Sequence, residues 1–430
     1  MWPVLPFDII VLIIDIVGED SDKDLLKDLA LVSHSFLQIC SKHLFATIEL
    51  HDACLEYHVA SSKKGFVKLL DSRPDVVNYI RKLTYKTGDR PYKTDNIDCY
   101  PPSFNNEDDL LSSILLNFLP TTSRLNCLKI DASNADMGLA SDWNSLNLSL
   151  TSAFLHLMHL PTINHIDLSY ISNFPWSSLT SSVNLHRLDI LHLNHSHSQD
   201  SSYDLVRSEM MPKIREFRTS DSPAQTRMLF NAKRKDGRPA FNFMDLRRVS
   251  IPFTWFEDER NIQYLLQNAK LLEKLHLSVA IDQISVGLHV VLSPFPRTLK
   301  VLDLDLTVDL HYGSVPLRLA ILCEAMAGHN MLEALSFDFH VDLGSQKAEV
   351  FIGSTIQEVE KVLVKSGWSA LRRVSFKFSI AYWGEAIREN FAKLPEALQF
   401  LSDKYPNLSK LEFISTDRSP YVVKCNFEFD

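Results

Sequence analysis

The sequence predicts an α/β fold in two parts, an all-helical N-terminal segment and a long array in which short strands alternate with helices. Apolar residues recur at helical spacing over the first fifty residues. From residue 80 onward, a short unit recurs eleven times: apolar, two variable residues, apolar, one variable residue, apolar. Between these units lie stretches with apolar residues three and four positions apart, which is typical of amphipathic helices.

The N-terminal segment carries two apolar stripes at helical spacing. Pro6 fixes an extended start, because proline restricts the residue before it and presets its own φ for a first helical turn. Asp24 is the predicted N-cap of the second helix. Fifty residues are too few to bury so much aliphatic surface, so part of it is expected to face a partner. The stripes consist of Ile9, Leu12, Ile13 and Ile16, and of Leu25, Leu29, Val32 and Phe36.

This segment resembles an F-box, the helical module that joins a substrate receptor to a cullin–RING ubiquitin ligase through a Skp-type adaptor. The resemblance rests on Leu5-Pro6, the two stripes, Leu31-Val32-Ser33 and the trailing Leu44-Phe45, in that order. The family often has Cys-Arg and Trp where this chain has Ser33-His34 and Phe36. A generic helical hairpin is the alternative. The resemblance implies that the adaptor is bound by Leu5, Pro6, Ile9, Ile13, Leu31, Val32 and Phe36.

Composition and charge exclude several other classes. No Lys or Arg precedes Lys23, and the apolar run 9–14 is far shorter than the roughly 20 residues of a membrane span. We therefore expect neither a signal peptide nor a membrane partner. A net charge of −9 argues against a nucleic-acid binder, since phosphate neutralisation needs clustered basic residues.

Cysteine and glycine usage argue against catalysis and cofactors. The six cysteines form no close pair, which excludes a Cys-rich zinc site and a disulfide framework and favours a reducing, cytoplasmic or nuclear, location. The chain has only 12 glycines, and none forms a nucleotide-cradling loop or a nucleophile elbow. We expect no cofactor, no metal and no bond chemistry by the chain itself.

The recurring unit predicts half-buried strands. Only 3 of the 22 residues at its third and fifth positions are apolar, whereas a hydrophobic content of 45% would give about ten. Such alternation indicates one packed and one solvated face. The pattern resembles the core of leucine-rich repeats, although the Asn that usually follows the strand is missing and the units start 22 to 45 residues apart. They begin at Ile80, Leu125, Ile163, Leu185, Ile214, Leu246, Leu272, Leu299, Leu332, Leu371 and Leu408.

Alternating strands and helices imply right-handed crossovers and parallel strands. The chain is therefore predicted to be α/β, with an F-box-like helical domain at 1–50, a helical linker at 51–79 and a leucine-rich-repeat-like solenoid with a curved parallel sheet at 80–430. An irregular α/β domain without solenoid curvature is the alternative. Helices are predicted at 148–160, 258–272, 316–329, 354–366 and 385–405, and long loops at 87–109, 194–204 and 231–240.

Three polar groups look like sites and are interpreted more simply. A group of histidines is interpreted as a strand end that runs into a loop. An acidic group is interpreted as a solvated strand face and the residues that follow the strand. A basic group is interpreted as a loop, and a weak nuclear localisation signal is the alternative. The groups are His192, His195 and His197 with Asp200; Asp303, Asp305 and Asp309 with His311; and Lys233, Arg234 and Lys235 with Arg238.

The variable strand positions are the predicted target-binding face. Four basic residues on successive strands are expected to form a stripe that binds an acidic or phosphorylated segment, with an acidic patch beside it. A solvated face of mixed charge is the alternative. The residues are Arg187, Arg218, Arg248 and Lys274, followed by Asp303, Asp305 and Asp338.

Taken with the resemblance, these patterns predict the substrate-recognition subunit of an SCF-type ubiquitin ligase. It would bind a Skp-type adaptor of the cullin ligase and a target protein whose identity the sequence leaves open. The alternative is a non-catalytic scaffold that acts outside ubiquitination.

Overall fold

The computed structural model describes residues 6–19, 23–51, 62–86, 105–117, 124–132, 141–193, 211–234, 237–253, 256–280, 288, 292, 297–309, 315–327, 331–342, 348–363, 367–381, 408–414 and 421–428. The chain divides into two compact units. Unit 1 comprises Met1–Lys213 and Asn231–Phe241, and unit 2 comprises Ile214–Phe230 and Asn242–Asp430.

Unit 1 begins with three helices, α1 (Phe7–Glu19), α2 (Lys23–Ala30) and α3 (His34–Leu44). The second predicted stripe is split, because α2 ends at Ala30 and the Ser33 side chain accepts a hydrogen bond from Phe36 N to start α3. Val32 therefore lies in a turn and Phe36 in α3. The prediction of Asp24 as N-cap is wrong, since Asp24 lies in the first turn of α2, where it pairs with Lys27.

The sheet of unit 1 has five parallel strands in the order β1-β2-β3-β5-β7. They are β1 (Thr47–His51), β2 (Lys82–Lys86), β3 (Cys127–Asp131), β5 (His165–Ser169) and β7 (Arg187–Leu191). Two short strands, β4 (Ser141–Asp142) and β6 (Ile171–Ser172), form a separate parallel pair. The connecting helices are α4 (Ser62–Ser72), α5 (Asn105–Asn117) and α6 (Leu148–Met158), with 3-10 helices at Pro74–Tyr79, Trp143–Ser145 and Trp176–Ser181.

The sheet of unit 2 has six parallel strands and an antiparallel end. The parallel strands are β8 (Glu216–Ser220), β9 (Arg248–Phe253), β10 (Lys274–Ala280), β11 (Val301–Asp309), β12 (Ala334–Asp342) and β13 (Arg373–Ala381). Beyond β13 lie β15 (Tyr421–Glu428) and then β14 (Leu408–Ile414), and both pairings of β15 are antiparallel. The helices are α7 (Pro223–Asn231), α8 (Phe256–Asn268), α9 (Val315–Met326) and α10 (Ala348–Leu363).

The α/β class and the large parallel sheet are confirmed. All eleven recurring units form strands, and ten of those strands begin at the third residue of the unit. The predicted helices 148–160, 258–272 and 316–329 correspond to α6, α8 and α9, whereas α10 begins six residues before the predicted 354. The predicted helix 385–405 lies outside the described residues.

Several expectations about local structure are wrong. The segment 1–50 is not all-helical, because its last residues belong to strand β1 (Thr47–His51). Residues 105–109 of the predicted loop 87–109 begin helix α5, and α7 was not predicted. The last recurring unit, β14, does not continue the parallel series, because β15 inserts between it and β13. Antiparallel pairing needs only a short connection, which the chain after Ile414 allows, whereas another parallel strand needs a crossover.

Each strand packs one face against helices. The fourth and sixth residues of the ten recurring units before β14 are buried. The Tyr85 ring lies 5.0 Å from that of Phe154 in α6, and the Phe339 ring lies 6.0 Å from that of Phe351 in α10. The third and fifth residues therefore point to the opposite face, which we call the variable face of each sheet.

Candidate interaction surfaces

The helices α1, α2 and α3 enclose a small core. Ile14, Leu26 and Cys40 are each at most 1% exposed. Burial raises the pKa of the Cys40 thiol. The partly buried side chains that pack against this core are Ile10, Val17, Leu29, Ala30, Phe36, Ile39 and Leu44. One face of α1 thus packs against α2 and α3, and the other apolar residues of α1 are not part of this core.

Besides Phe7 and Leu25, six large apolar side chains of this region remain exposed. Leu31 is 85% exposed and Val32 is 65% exposed, both in the turn between α2 and α3. On α1 the exposure ranges from 43% for Ile9 to 59% for Leu12. We call these residues the N-terminal apolar surface: Ile9, Leu12, Ile13, Ile16, Leu31 and Val32. Exposed aliphatic groups at this density are typical of a surface that binds another protein.

Local contacts hold this surface in place. Leu31 N and Val32 N donate to Asp28 O and Leu29 O, each at 3.1 Å, so the turn presents both side chains outward. Asp15 of α1 lies 2.6 Å from Lys42 Nζ and 2.7 Å from His43 Nε2 of α3. Hydrogen bonds with Lys42 and His43 lower the pKa of Asp15. These contacts link α1 to α3 and so fix the helix that carries most of the surface.

The seven residues implied for adaptor binding fall into three groups. Ile9, Ile13, Leu31 and Val32 belong to the N-terminal apolar surface, and Pro6 is also exposed. Phe36 is half-buried and packs against the helical core. Leu5 lies outside the described residues.

On the variable face of unit 2, the predicted basic stripe is out of register. Arg248 of β9 lies opposite Lys274 of β10, but the residue of β8 in that row is Glu216. Arg218 lies in the next row, opposite Ser250. Arg187 belongs to unit 1. The four basic residues therefore do not form one continuous row as predicted. Arg218 occupies the fifth position of its recurring unit, whereas the other three occupy the third position.

The basic residues of this face are mostly paired with carboxylates. Arg248 Nη1 lies 3.1 Å from Glu216 Oε1, and Lys274 Nζ lies 2.6 Å from Asp303 Oδ2. Arg218 is exposed and has no ion-pair partner among the described side chains. The face has mixed charge, and Arg218 is an exposed arginine there that an acidic ligand could reach.

The acidic residues of this face form a cluster with two basic partners. Asp305 and Asp338 lie opposite each other on β11 and β12. Lys377 Nζ lies 2.5 Å from Asp338 Oδ2, and His340 Nε2 lies 3.2 Å from Asp305 Oδ1, although without hydrogen-bond alignment. The adjacent Asp305 carboxylate raises the pKa of His340. The like charges of the two aspartates are thereby offset.

The variable face of unit 1 carries a more buried polar network. Asp189 is 4% exposed, and it accepts hydrogen bonds from Arg187 Nη2 at 2.9 Å and from His165 Nε2 at 3.1 Å. His165 Nδ1 lies 3.2 Å from Cys127 Sγ. Lys129 Nζ lies 3.2 Å from Asp167 Oδ2. Arg187, which was predicted to bind the target, is thus held by Asp189.

Three adjacent strands therefore supply a thiol, an imidazole and a carboxylate in hydrogen-bonding sequence. Burial by itself lowers the pKa of His165, but the hydrogen bonds with Asp189 and Cys127 outweigh it and raise the pKa to about 9. Burial by itself raises the pKa of Asp189, but the hydrogen bonds from His165 and Arg187 outweigh burial and hold this pKa below its usual value. Sequence reasoning missed this network. The signal was present, since Cys127, His165 and Arg187 all occupy the third position of consecutive units.

The structure does not bring the described residues of the histidine, acidic and basic groups together into a site. His192 follows β7 with φ 50° and stacks on Tyr170 at 4.6 Å, as a residue at a strand end; its predicted partners 195, 197 and 200 lie outside the described residues. Asp309 is the last residue of β11, not a residue beyond the strand as predicted, and His311 is not described. Arg234 N donates to Arg238 O at 2.8 Å, and neither residue lies in a helix or a strand, while Lys235 lies outside the described residues.

Among the described residues, no three His, Cys, Asp or Glu side chains are grouped so as to hold a metal ion. No described helix has both the length and the apolar character that a membrane crossing requires. No protein-family model matches the chain, and neither does any curated protein.

Proposed function

We propose that the chain is the substrate-recognition subunit of an SCF-type cullin–RING ubiquitin ligase. In this proposal α1, α2 and α3 are an F-box that binds a Skp-type adaptor, and the strand–helix array is a degenerate leucine-rich-repeat solenoid that binds a target protein. The observation that carries it is the N-terminal apolar surface, where Leu31 is 85% exposed beside a core that is at most 1% exposed.

The physical argument concerns how apolar residues are used. Three short helices bury one set of aliphatic side chains and leave a second set in water, at a cost of about 25 cal/mol for each Å² of apolar area. The exposed set includes four of the residues that the F-box resemblance implies: Ile9, Ile13, Leu31 and Val32. A partner that covers them would recover this free energy, which supports a docking role for the segment.

The repeat array would hold the target. Receptors built from repeats commonly bind through a strand surface, and the variable face of unit 2 presents exposed Arg218 among paired charges. Receptor and enzyme then act by proximity, because the target is held near the recruited ubiquitin-transfer enzymes. The chain itself would perform no bond chemistry, and its site of action would be the cytoplasm or the nucleus.

The test is co-expression with a Skp-type adaptor, followed by size-exclusion chromatography of the full-length chain. The double variant Leu31→Asp/Val32→Asp places two charges on the N-terminal apolar surface. Leu148→Asp is the matched control, since Leu148 is 83% exposed at the first residue of α6, where an acidic residue is favourable. We expect the wild type and the control to elute with the adaptor and the double variant to elute alone.

Two outcomes would overturn the proposal. If the wild type forms no complex, the N-terminal helices are a cap on a scaffold that acts outside ubiquitination. If the double variant binds as tightly as the control, the adaptor docks elsewhere and the observation that carries the proposal is lost. Circular dichroism of all three proteins separates loss of binding from loss of fold.

A further inference from the structure

A cysteine, a histidine and an aspartate meet on the variable face of unit 1, and the function proposed above does not use them. Cys127 Sγ lies 3.2 Å from His165 Nδ1, and His165 Nε2 lies 3.1 Å from Asp189 Oδ2. The three residues come from β3, β5 and β7. A nucleophile next to a base that a third group orients is the arrangement that activates a thiol.

The surroundings of this cluster keep the histidine charged and fixed. Asp189 is 4% exposed and also accepts hydrogen bonds from Arg187 Nε and Nη2, at 3.2 and 2.9 Å, so the carboxylate cannot turn away from His165. An imidazolium then donates Nδ1–H toward Cys127 and Nε2–H to Asp189. On the other side of Cys127, Lys82 of β2 occupies the same row.

We propose that Cys127, His165 and Asp189 form a reactive thiol site at which hydrogen peroxide oxidises Cys127 to a sulfenic acid. The Cys127 thiolate attacks one peroxide oxygen, so that an S–O bond forms and the O–O bond breaks. Sulfur is oxidised by two electrons and the peroxide is reduced. The leaving hydroxide takes the Nδ1 proton of His165 and departs as water, which leaves a neutral imidazole.

The limited exposure of the Cys127 thiol favours a small oxidant. Cys127 is 7% exposed, while the His165 side chain beside it is 20% exposed. Hydrogen peroxide is a small oxidant of this kind. The reaction also needs a proton donor next to the leaving oxygen, which His165 provides. This inference does not rest on the proposed ligase function, since it concerns only three side chains of unit 1.

The chain contains its own reference thiols. Cys40 and Cys323 are fully buried, and burial raises the pKa of the Cys323 thiol to about 12. The full-length native protein is treated with hydrogen peroxide, sulfenic acid is trapped with dimedone, and each cysteine is quantified by peptide mass spectrometry. We expect Cys127 to be trapped at least about tenfold faster than Cys40 and Cys323.

Variants then test the role of the histidine. His165→Gln removes the proton donor and is expected to slow trapping at Cys127 by about tenfold or more. His159→Gln is the matched control in the same unit, because His159 bonds only a backbone oxygen, Ser178 O, at 2.9 Å. If His165→Gln fails to fold, Asp189→Asn serves as the second variant, with the same expected direction.

The proposal fails if Cys127 is trapped no faster than Cys323 in the native wild type, a comparison that needs no variant. It also fails if a folded His165→Gln protein reacts at the wild-type rate, since the thiol would then be reactive without the histidine. Trapping at Cys127 that appears only in urea would overturn it as well, because the folded site would then be unreactive.

Discussion

Arg248 Nη1 lies 3.1 Å from Glu216 Oε1, across the neighbouring strands β9 and β8. The side chains are 65% and 34% exposed, so water screens much of their attraction. In a double-mutant cycle of Arg248→Ala and Glu216→Ala, we expect a coupling free energy below about 1 kcal/mol that shrinks in high salt. Urea unfolding of the four proteins measures it, and a coupling that persists at about 1 M salt would contradict the exposed geometry.

Arg218 should matter for binding rather than for stability. It is exposed and has no ion-pair partner among the described side chains, so Arg218→Glu is expected to change the free energy of unfolding by no more than about 0.5 kcal/mol. The same variant should weaken capture of an acidic or phosphorylated target peptide. Arg247→Glu, at the residue before β9 that is already paired with Glu273 at 3.2 Å, is the control for charge alone. Equal capture by the wild type and by both variants would exclude this face as an acidic-peptide site.

Gly18 is required by the close approach of α1 and α3. A Cβ at Gly18 would lie 2.3 Å from His43 Cγ, and that ring also bonds Asp15. Glycine in a helix interior normally costs about 1 kcal/mol relative to alanine, yet here Gly18→Ala should destabilise the helices because the His43 ring must move.

In a His43→Ala background the same change should become stabilising, by less than about 1 kcal/mol because Gly18 lies in the last turn of α1. Hydrogen exchange of the α1 and α3 amides reports both effects. A Gly18→Ala change of the same sign with and without the His43 ring would show that the contact carries no strain.

His165 should make the stability of the protein depend on pH. Its pKa is raised from 6.5 to about 9, since hydrogen bonds with Asp189 and Cys127 outweigh the burial that lowers it. A raised pKa stabilises the folded chain fully below pH 6.5, and this contribution is lost as the pH rises through 9. The pKa of Asp189 is lowered, so its contribution is present above pH 3.8 and is lost on acidification.

We therefore expect the free energy of unfolding to fall by at most about 3 kcal/mol between pH 6.5 and 9. His165→Gln should flatten this part of the profile, whereas His159→Gln should leave it unchanged. Thermal unfolding across the pH range provides the measurement. A wild-type profile that rises between these pH values would contradict the sign of the shift.

Phe339 anchors the core of unit 2. Its ring is fully buried, stacks on Phe378 at 4.7 Å and meets Phe351 of α10 edge-on at 6.0 Å. Phe339→Ala should lower the free energy of unfolding by about 3–5 kcal/mol, and Phe339→Leu by clearly less. Leu317→Ala, at a residue that is 57% exposed, is the control and should cost no more than about 0.5 kcal/mol. Chemical denaturation that ranks the three variants otherwise would refute the packing argument.

Much of the fold could be predicted from short stretches of the sequence. The eleven strands were predictable because alternation of apolar and polar residues is a property of six consecutive positions, and each unit shows it by itself. Helix α7 was missed because Gln225 and Thr226 are buried polar residues that break the apolar stripe. The Thr226 hydroxyl is satisfied by Ser222 O at 2.8 Å, a bond that no local pattern reveals.

The candidate interaction surfaces were harder to predict from short sequence patterns. Exposure of Leu31 and Val32 was expected, because the F-box resemblance implied that both bind the adaptor. The half-burial of Phe36 was not, because it depends on α3 starting at a new cap rather than continuing α2.

The sequence by itself determined where the strands and most helices form, since hydrophobic periodicity acts within a single element. Only the tertiary structure decided which variable residues become neighbours. The pairing register placed Glu216 rather than Arg218 beside Arg248, brought Cys127, His165 and Asp189 into contact, and inserted β15 between β13 and β14. These choices depend on how strands separated by 22 to 45 residues align, and the alignment follows from packing of the whole sheet rather than from any one segment.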